Sequence, residues 1–537
     1  MKNIIIQEIE KTLTELNYSN ENLDIHITVP KNKNFGDLST NIAFLLAKNL
    51  KKNPLDIASE IKIKLEKIDI FKEIKIAGPG FLNFNINPNS IVNYLNNIIK
   101  LNKNYGKQKI NNKKVLVEFV SANPTGPLTV GHGRGAILGD TLSNIFEWNG
   151  YIVEREYYYN NAGRQMRVLG ESVKARYLNL IGEKIDFPDD GYQGDYIYQI
   201  AEELFQKYDK KIKNNDEIFK EYAEKYIFKS IKNTLKNIGI QFDSFFNENT
   251  LYENKDIYKI IDKLDTKGLI YKKDDAVWFK GTNVGRENDR VLIKKTGEPT
   301  YRLPDMAYHV DKMKRGYDLC IDIFGADHMD AYPDVLEVVN QLGYNKSKIK
   351  VLIHQFISIL KNGKQVKMST RKATYITLDE LINEVSSDVV RYFFIMRNVN
   401  SHLNFDLDIA KEKSEKNPIY YIQYANARIN TILNSNTIKL NNYNLSLLNQ
   451  EDDIKLIYKL IDFKEIIIKV KDTMEPQILA NYLLELSSMF HKYYAKNRIM
   501  NDNNLELTKA RLIFIKSISI VITNGLTVLG ISAPESM

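Results

Sequence analysis

The chain has almost no cysteine. Cys320 is the only one in 537 residues, so no internal disulfide and no cysteine-built zinc site can form, and a reducing compartment, the cytoplasm, is expected. The seven histidines (His26, His132, His309, His328, His354, His402, His491) show no HExxH spacing, and no structural metal is expected. No uninterrupted apolar run approaches the roughly 20 residues that would cross a bilayer, so no membrane partner is expected. The opening stretch MKNIIIQEIEKTLTELNY has helical periodicity and carries acids. It does not read as a cleaved signal.

What is there is ordinary globular material. Hydrophobic residues make up 43% and charged residues 26%, and at roughly 150 residues per domain the length suggests about three or four domains. Lys and Arg number 75 against 67 Asp and Glu, a net charge of +8. That is compatible with a nucleic-acid partner. The lysines, however, are interleaved with Ile, Asn and Tyr along the whole chain, so charge alone does not decide.

Residues 1–108 read as a first, α+β unit. Helical periodicity runs over Ile4–Leu16 and Leu45–Leu65, with a break expected at Pro54, and Gly80–Ile86 is strand-like. The Lys/Asn-rich segment Leu101–Lys114 reads as a linker. Residues 109–405 then open with the apolar run Val115-Leu-Val-Glu-Phe-Val-Ser121, suited to a buried parallel strand. A glycine-rich stretch, a helical face (Leu138, Leu142, Ile145) within Ala136–Trp148 and a strand over Tyr151–Tyr159 follow. This β–loop–α–β order predicts a doubly wound parallel sheet. Residues 163–270 read as a polar helical insertion between its halves. Strand signals return at Ala276–Lys280, Arg290–Lys294, Cys320–Phe324 and Lys350–Ile359. Residues 406–537 carry long 3.6-residue periods and few glycines, an all-α bundle.

The informative loop is Ser121-Ala-Asn-Pro-Thr-Gly-Pro-Leu-Thr-Val-Gly-His-Gly-Arg-Gly-Ala136. Its glycines let a backbone approach phosphates, and the helix behind it offers unpaired N–H groups to an anion. One reading is a dinucleotide fingerprint. Gly131, Gly133 and Ala136 fit GxGxxA, and Glu154 or Glu156 supplies an acid about 20 residues on. Against it, the loop between strand and glycines is far longer than the tight turn that fingerprint uses. A glycine-rich connection with no ligand is the plain alternative. The other reading pairs this loop with Lys367-Met-Ser-Thr-Arg371, which would otherwise be a solvated hairpin, as two sides of a clamp on a triphosphate.

Thr129-Val-Gly-His132 resembles the HxGH element of class I aminoacyl-tRNA synthetases, and Lys367-Met-Ser-Thr370 resembles their KMSK element. The surroundings are most similar to the arginyl-tRNA synthetases: Glu118–Pro127, Pro299-Thr-Tyr-Arg-Leu-Pro-Asp305, Gly325-Ala-Asp-His328 and Asn417–Arg428. Phe35-Gly-Asp-Leu38 and Ala77-Gly-Pro-Gly-Phe81 near the start and Ser532-Ala-Pro-Glu535 near the end extend the resemblance to almost the whole chain. Two positions depart from it. Thr129 stands where the first HxGH histidine is expected, and Thr370 where the last KMSK lysine is. Threonine still donates a hydrogen bond but carries no charge, and Arg371 is read as replacing the charge missing at Thr370.

The resemblance implies a class I Rossmann-like catalytic core (109–405) with a helical insertion, flanked by a tRNA-contacting domain (1–108) and a helical anticodon-binding domain (406–537). It implies ATP with Mg2+, arginine and an arginine tRNA as partners, a monomer, and amino-acid activation that needs tRNA. Carried over residue by residue, His132, Thr129, Lys367 and Ser369 would act in catalysis. Gly131, Gly133, Lys367, Met368, Ser369 and Arg371 would bind ATP. Ser121, Asn123 and His132 would hold the amino-acid backbone groups, and Glu248, Tyr301 and Asp305 the guanidinium. Asp327 would contact either arginine or the ribose. Tyr420, Tyr424 and Arg428 would meet tRNA, as would the cluster from His491 to Arg498. Tyr192 is read as part of an ordinary turn. A non-catalytic tRNA-binding relative is the alternative that the two threonines leave open.

Overall fold

The protein is described here from a computed structural model covering residues 1–537 except 19–22, 31, 184, 213, 327–328, 367–375 and 502. Five parallel strands form the central sheet in the order Ile349–His354, Leu319–Gly325, Lys114–Glu118, Ile152–Tyr159, Ser244–Asn247. Val115, Leu116 and Val117 are all fully buried, which is why this strand reads as a continuous apolar run rather than an alternating one. The winding starts at Lys114–Glu118, moves outward to one edge, and returns to build the other half. Its direction reverses between Lys114–Glu118 and Leu319–Gly325, where an open α/β sheet leaves a crevice beyond the carboxyl ends of its strands.

The helix after the glycine-rich loop begins at Val130 rather than Ala136 and ends at Trp148. Gly139 lets it lie against the sheet, since a Cβ there would stand 2.1 Å from Cγ of Phe119. Helix Arg302–Lys314 leads back into the second half of the sheet, and Ser387–Ile395 packs against the Val130–Trp148 helix.

Several expectations are corrected. The stretch read as a mostly helical insertion, 163–270, also contains an edge strand of the central sheet, Ser244–Asn247; four residues are too few to show a period. Ala276–Phe279 and Arg290–Ile293 do not enter the central sheet; with Ile270–Lys273 they form a separate antiparallel sheet in which Ala276–Phe279 is the middle strand. Lys350–Ile359 divides: Ile349–His354 stays central, while Ile357–Lys361 pairs with Leu403–Asp406 and Lys364–Gln365. The segment Leu101–Lys114 is pinned rather than free, because Oη of Tyr105 donates to Leu460 O at 3.1 Å and Asn524 donates to the carbonyls of Asn102 and Tyr105.

Residues 2–101 fold as four antiparallel strands and helices, with the chain breaking at Asn53, which caps a helix starting at Pro54. The C-terminal helices include Pro418–Asn434, Glu451–Thr473, Gln477–Lys496 and Leu505–Val528. The last is 24 residues long and apolar enough to cross a membrane by length and composition, although Lys516 interrupts its apolar run; 83% of that apolar window is buried among its neighbours. Arg391, itself buried, ties the pieces together. It donates to Asp140 Oδ2 at 2.5 Å, to Ile238 O at 2.9 Å and to Leu529 O at 3.0 Å.

Candidate active site

At the reversal point a cavity of about 990 Å³ opens. The strand Lys114–Glu118 ends there in a kink, with Val120 at φ 68° and Ser121 at φ 46°. A β-branched residue in the left-handed region is strained, and such strain persists where surrounding structure over-determines it. The kink turns Ser121 and Asn123 toward the cavity. The Oγ of Ser121 donates to Glu118 Oε1 at 2.8 Å, and Asn123 Oδ1 accepts from the Asn160 backbone at 3.0 Å.

Thr129 caps the helix Val130–Trp148. Its hydroxyl faces the His132 N–H at 3.5 Å, while its own N–H donates to His132 Nδ1 at 3.1 Å, a reciprocal capping box. An acceptor at Nδ1 puts the ring proton on Nε2. Gly131, His132 and Gly135 line the cavity, but Gly133 does not. It lies on the far side of the helix, where a Cβ would meet Leu378 at 2.7 Å and Phe394 at 3.1 Å, so it serves packing and not phosphate approach. Lys367, Met368, Ser369 and Arg371, with Asp327, lie outside the described residues. From Ile376 the chain returns to the first loop: Thr377 bridges Thr129, and the Leu378 N–H donates to Leu128 O at 2.8 Å.

The opposite wall is acidic. Asp305, in the first turn of helix Arg302–Lys314, and Glu248, at the end of Ser244–Asn247, both face the cavity, with Tyr301 at its rim, 63% exposed. Glu248 accepts from Tyr158 Oη at 2.7 Å and Asn160 Nδ2 at 2.8 Å. Burial pushes the Asp305 carboxyl up to about 7; Glu118 and Glu248 add repulsion, while His309 and Lys312 pull the other way. Burial also raises Glu248, against the two hydrogen bonds it accepts. Two desolvated carboxyls held against their preference for charge await a cation.

Beside and beneath them runs a row of buried ions that the sequence reading missed, of which Glu118 and His309 also line the cavity. Lys312 reaches Glu118 Oε2 at 2.5 Å and Asp322 Oδ1 at 2.7 Å, and His309 Nε2 meets Asp322 Oδ2 at 3.0 Å. Burial alone would raise Asp322, but Lys312 and His309 hold it near 2. The signal was present: Glu118 and Asp322 are charges inside apolar strands, and Asp305, His309 and Lys312 recur at i, i+4 and i+7 on one helical face. The acids of the dinucleotide reading are accounted for otherwise. Glu156 takes a bidentate pair from Arg315 at 2.6 and 2.7 Å plus Tyr308 Oη at 2.5 Å, and Glu154 takes Tyr317 and Ser244. Neither lines the cavity.

A second cavity of about 770 Å³ adjoins the first, sharing Asn123, Thr129 and His132 with it. Its far wall is the loop 189–196. Tyr192 is held there by its N–H on Ser172 Oγ at 3.0 Å, and Tyr196 Oη donates to Thr125 O at 2.8 Å. In the helical bundle, Tyr420 and Tyr424 stack with centroids 6.2 Å apart, and Arg428 donates to Tyr424 Oη at 2.8 Å. The Arg428 guanidinium lies 4.8 and 4.9 Å from the Tyr424 and Tyr494 rings, and His491 packs at 4.4 Å on Tyr421. His491 and Tyr494 of the second aromatic cluster thus join the first, whereas Tyr493 is buried and donates to Asp453 Oδ1 at 2.8 Å.

Comparison with known proteins agrees along the whole length. Residues 2–86 match the arginyl tRNA synthetase N terminal domain, 94–431 the catalytic domain of tRNA synthetases class I (R), and 422–537 the DALR anticodon binding domain. The chain belongs to the arginyl-tRNA synthetase family. An arginine–tRNA ligase of Desulfotalea psychrophila is 47% identical over 521 residues, 95% of this chain and 94% of the relative. One of Chlorobium phaeobacteroides is 44% identical over 100% of both chains. The solved Thermus thermophilus arginyl-tRNA synthetase shares the fold, with a TM-score of 0.76 over 100% of both chains at 20% identity. An arginyl-tRNA synthetase brings arginine, ATP and a tRNA together in its reaction.

Proposed function

We propose that this cavity carries out the reaction of the family, and that the chain is an arginine–tRNA ligase acting in protein synthesis in the cytoplasm. Arginine is joined to ATP as arginyl-adenylate with loss of diphosphate, then transferred to the terminal adenosine of an arginine tRNA. The observation that carries this reading is the acidic wall. Asp305 and Glu248 present two carboxyls to a cavity with Tyr301 at its rim, and a guanidinium is the planar, five-donor cation able to bridge them.

The residues divide the work by position. Asp305, Glu248 and Tyr301 hold the guanidinium. Ser121 and Asn123, at the strand end, face the amino and carboxyl groups, which leaves the carboxylate near His132. The Nε2 proton of His132, at a helix N-terminus, donates to phosphate oxygen, and Gly131 lets the chain approach it. Lys367, Ser369 and Arg371 bear on the departing diphosphate, with Met368 in the same loop, and Asp327 contacts arginine or ribose. Most of the acceleration then comes from positioning and charge stabilisation. Among the described residues no cluster of His, Cys, Asp and Glu could hold a metal ion, so magnesium would arrive on the phosphates of ATP.

The second cavity suits the terminal adenosine of the tRNA, since it meets the first at His132 and Asn123. Tyr420, Tyr424 and Arg428 suit unstacked anticodon bases, rings for stacking and a cation for phosphate. The protein acts as a monomer. The test is charging of an arginine tRNA with labelled arginine, with ATP–diphosphate exchange measured for each amino acid with and without tRNA. Arginine-specific charging is expected. A folded protein that binds the tRNA without charging it would make this chain a binding relative instead.

A further inference from the structure

The row of ions at the floor of the cavity, of which Glu118 and His309 also line it, ends at both sides on residues of the cavity wall. At one end the Ser121 hydroxyl donates to Glu118 Oε1 at 2.8 Å. The other oxygen of Glu118 takes Lys312 at 2.5 Å, and Lys312 also grips Asp322 at 2.7 Å. The second oxygen of Asp322 meets His309 Nε2 at 3.0 Å, and His309 Nδ1 meets the backbone carbonyl of Asp305 at 2.8 Å. Each carboxylate thus spends one oxygen on Lys312 and the other on an outward neighbour. Lys312 and Asp322 are 0% exposed and Glu118 2%.

We propose that His309 and Lys312 are positioning residues for arginine, which fix the distance between the Ser121 end of the pocket and the Asp305 end through Glu118 and Asp322. Buried ion pairs are poor stabilisers compared with apolar side chains of similar volume. A full-length chain of them between two walls of one cavity is therefore better explained by the geometry it imposes. Arginine is a long ligand whose two charged ends must be met at once, and rigid spacing reduces the ordering cost of binding both.

This inference rests on the assignment of the cavity to arginine, and the experiment separates the two. Charging of arginine by the unaltered protein tests the assignment. The variants His309→Gln and His309→Asn test the chain, because each amide can imitate only one ring nitrogen and breaks one of the two links. The readouts are the KM for arginine, the KM for ATP and the inhibition constant of butylguanidine, which has the guanidinium but neither the amino group nor the carboxylate. A roughly tenfold rise in arginine KM is expected for both variants, with butylguanidine and ATP changed less than about twofold. An unchanged arginine KM overturns the proposal. So does equal weakening of arginine and butylguanidine, which would confine the effect to Asp305, or a parallel rise for ATP, which would mean general loosening. If either variant is insoluble, Lys312→Met combined with Asp322→Asn and Glu118→Gln, a row without charge, is read by the same three constants and the same outcomes.

Discussion

Arginine should bind this protein more weakly as the pH falls through neutrality, although arginine itself does not titrate there. In the free site the Asp305 carboxyl is pushed up to about 7 by burial, and the guanidinium needs it ionised. The ionised fraction falls from about nine-tenths at pH 8 to about a tenth at pH 6, so KM for arginine should rise about tenfold over that interval. Glu248 is shifted the same way and can only steepen the trend. The sign also fixes a stability effect. A carboxyl raised in the folded state contributes stability that is complete below its unfolded value and is lost as pH rises through 7. Arginine, by bringing the counter-charge, should therefore raise the Tm more at pH 8 than at pH 6. The assay is ATP–diphosphate exchange with tRNA present, at saturating ATP, from pH 6 to 8.5, with KM for ATP as the internal control. Asp305→Asn should raise arginine KM by roughly 10⁴ and reduce the slope to whatever Glu248 contributes. A flat arginine KM between pH 6 and 8, or a slope undiminished in Asp305→Asn, would refute the reasoning.

Arg391→Met should cost about 3–5 kcal/mol in denaturant unfolding, since it leaves Asp140 buried beside vacated carbonyls; a loss under 1 kcal/mol would mean that Arg155, 3.5 Å from Asp140, suffices. Thr129→Val should lose about 1 kcal/mol of cap and misorient His132, lowering kcat, whereas Thr129→Ser should restore both; equal kcat for the two would dismiss the hydroxyl. Arg428→Ala should weaken tRNA binding and reduce the slope of log affinity against log salt by about 1 while leaving the arginine KM alone, and an unaltered slope would remove Arg428 from the phosphate backbone.

How much of this was legible in the sequence depended on length and on partners. The buried strand at Val115, the helix after the loop and the helical bundle follow from periodicity, because each is long or uniformly apolar. Ser244–Asn247 was hidden among helices because four residues show no period, and Lys350–Ile359 read as one strand because nothing local marks the turn at Gln355 and Phe356. Of the described site residues, Asp305, Glu248, Ser121 and Asn123, carried over from motifs, do face one cavity. Gly133 does not, because neighbouring residues of a helix point some 100° apart and a motif read along a line ignores that. The bundle is also less separable than composition suggests. Val528 and Leu529 accept hydrogen bonds from Asn144 and Arg391 of the core, so deleting residues 410–537 would disturb far more than tRNA binding.

The buried ions and the raised carboxyls are two sides of one electrostatic arrangement. Glu118 and Asp322 are met by Lys312 and by His309, whose two ring nitrogens both face acceptor oxygens, and Asp305 and Glu248 add two carboxyls at the wall. Burial raises both wall carboxyls, and at Asp305 the repulsion of Glu118 and Glu248 adds to it. Both penalties are relieved by a cation that meets the two carboxyls together. A lysine ammonium is a compact point charge on a flexible stem and reaches one of them well; a citrulline has the right outline but brings no charge and turns an oxygen toward a carboxylate. The guanidinium alone combines charge, breadth and donors on every edge. Selectivity for arginine is thus built into how unfavourable the empty site is, and the same penalty that selects the substrate makes its binding sensitive to pH.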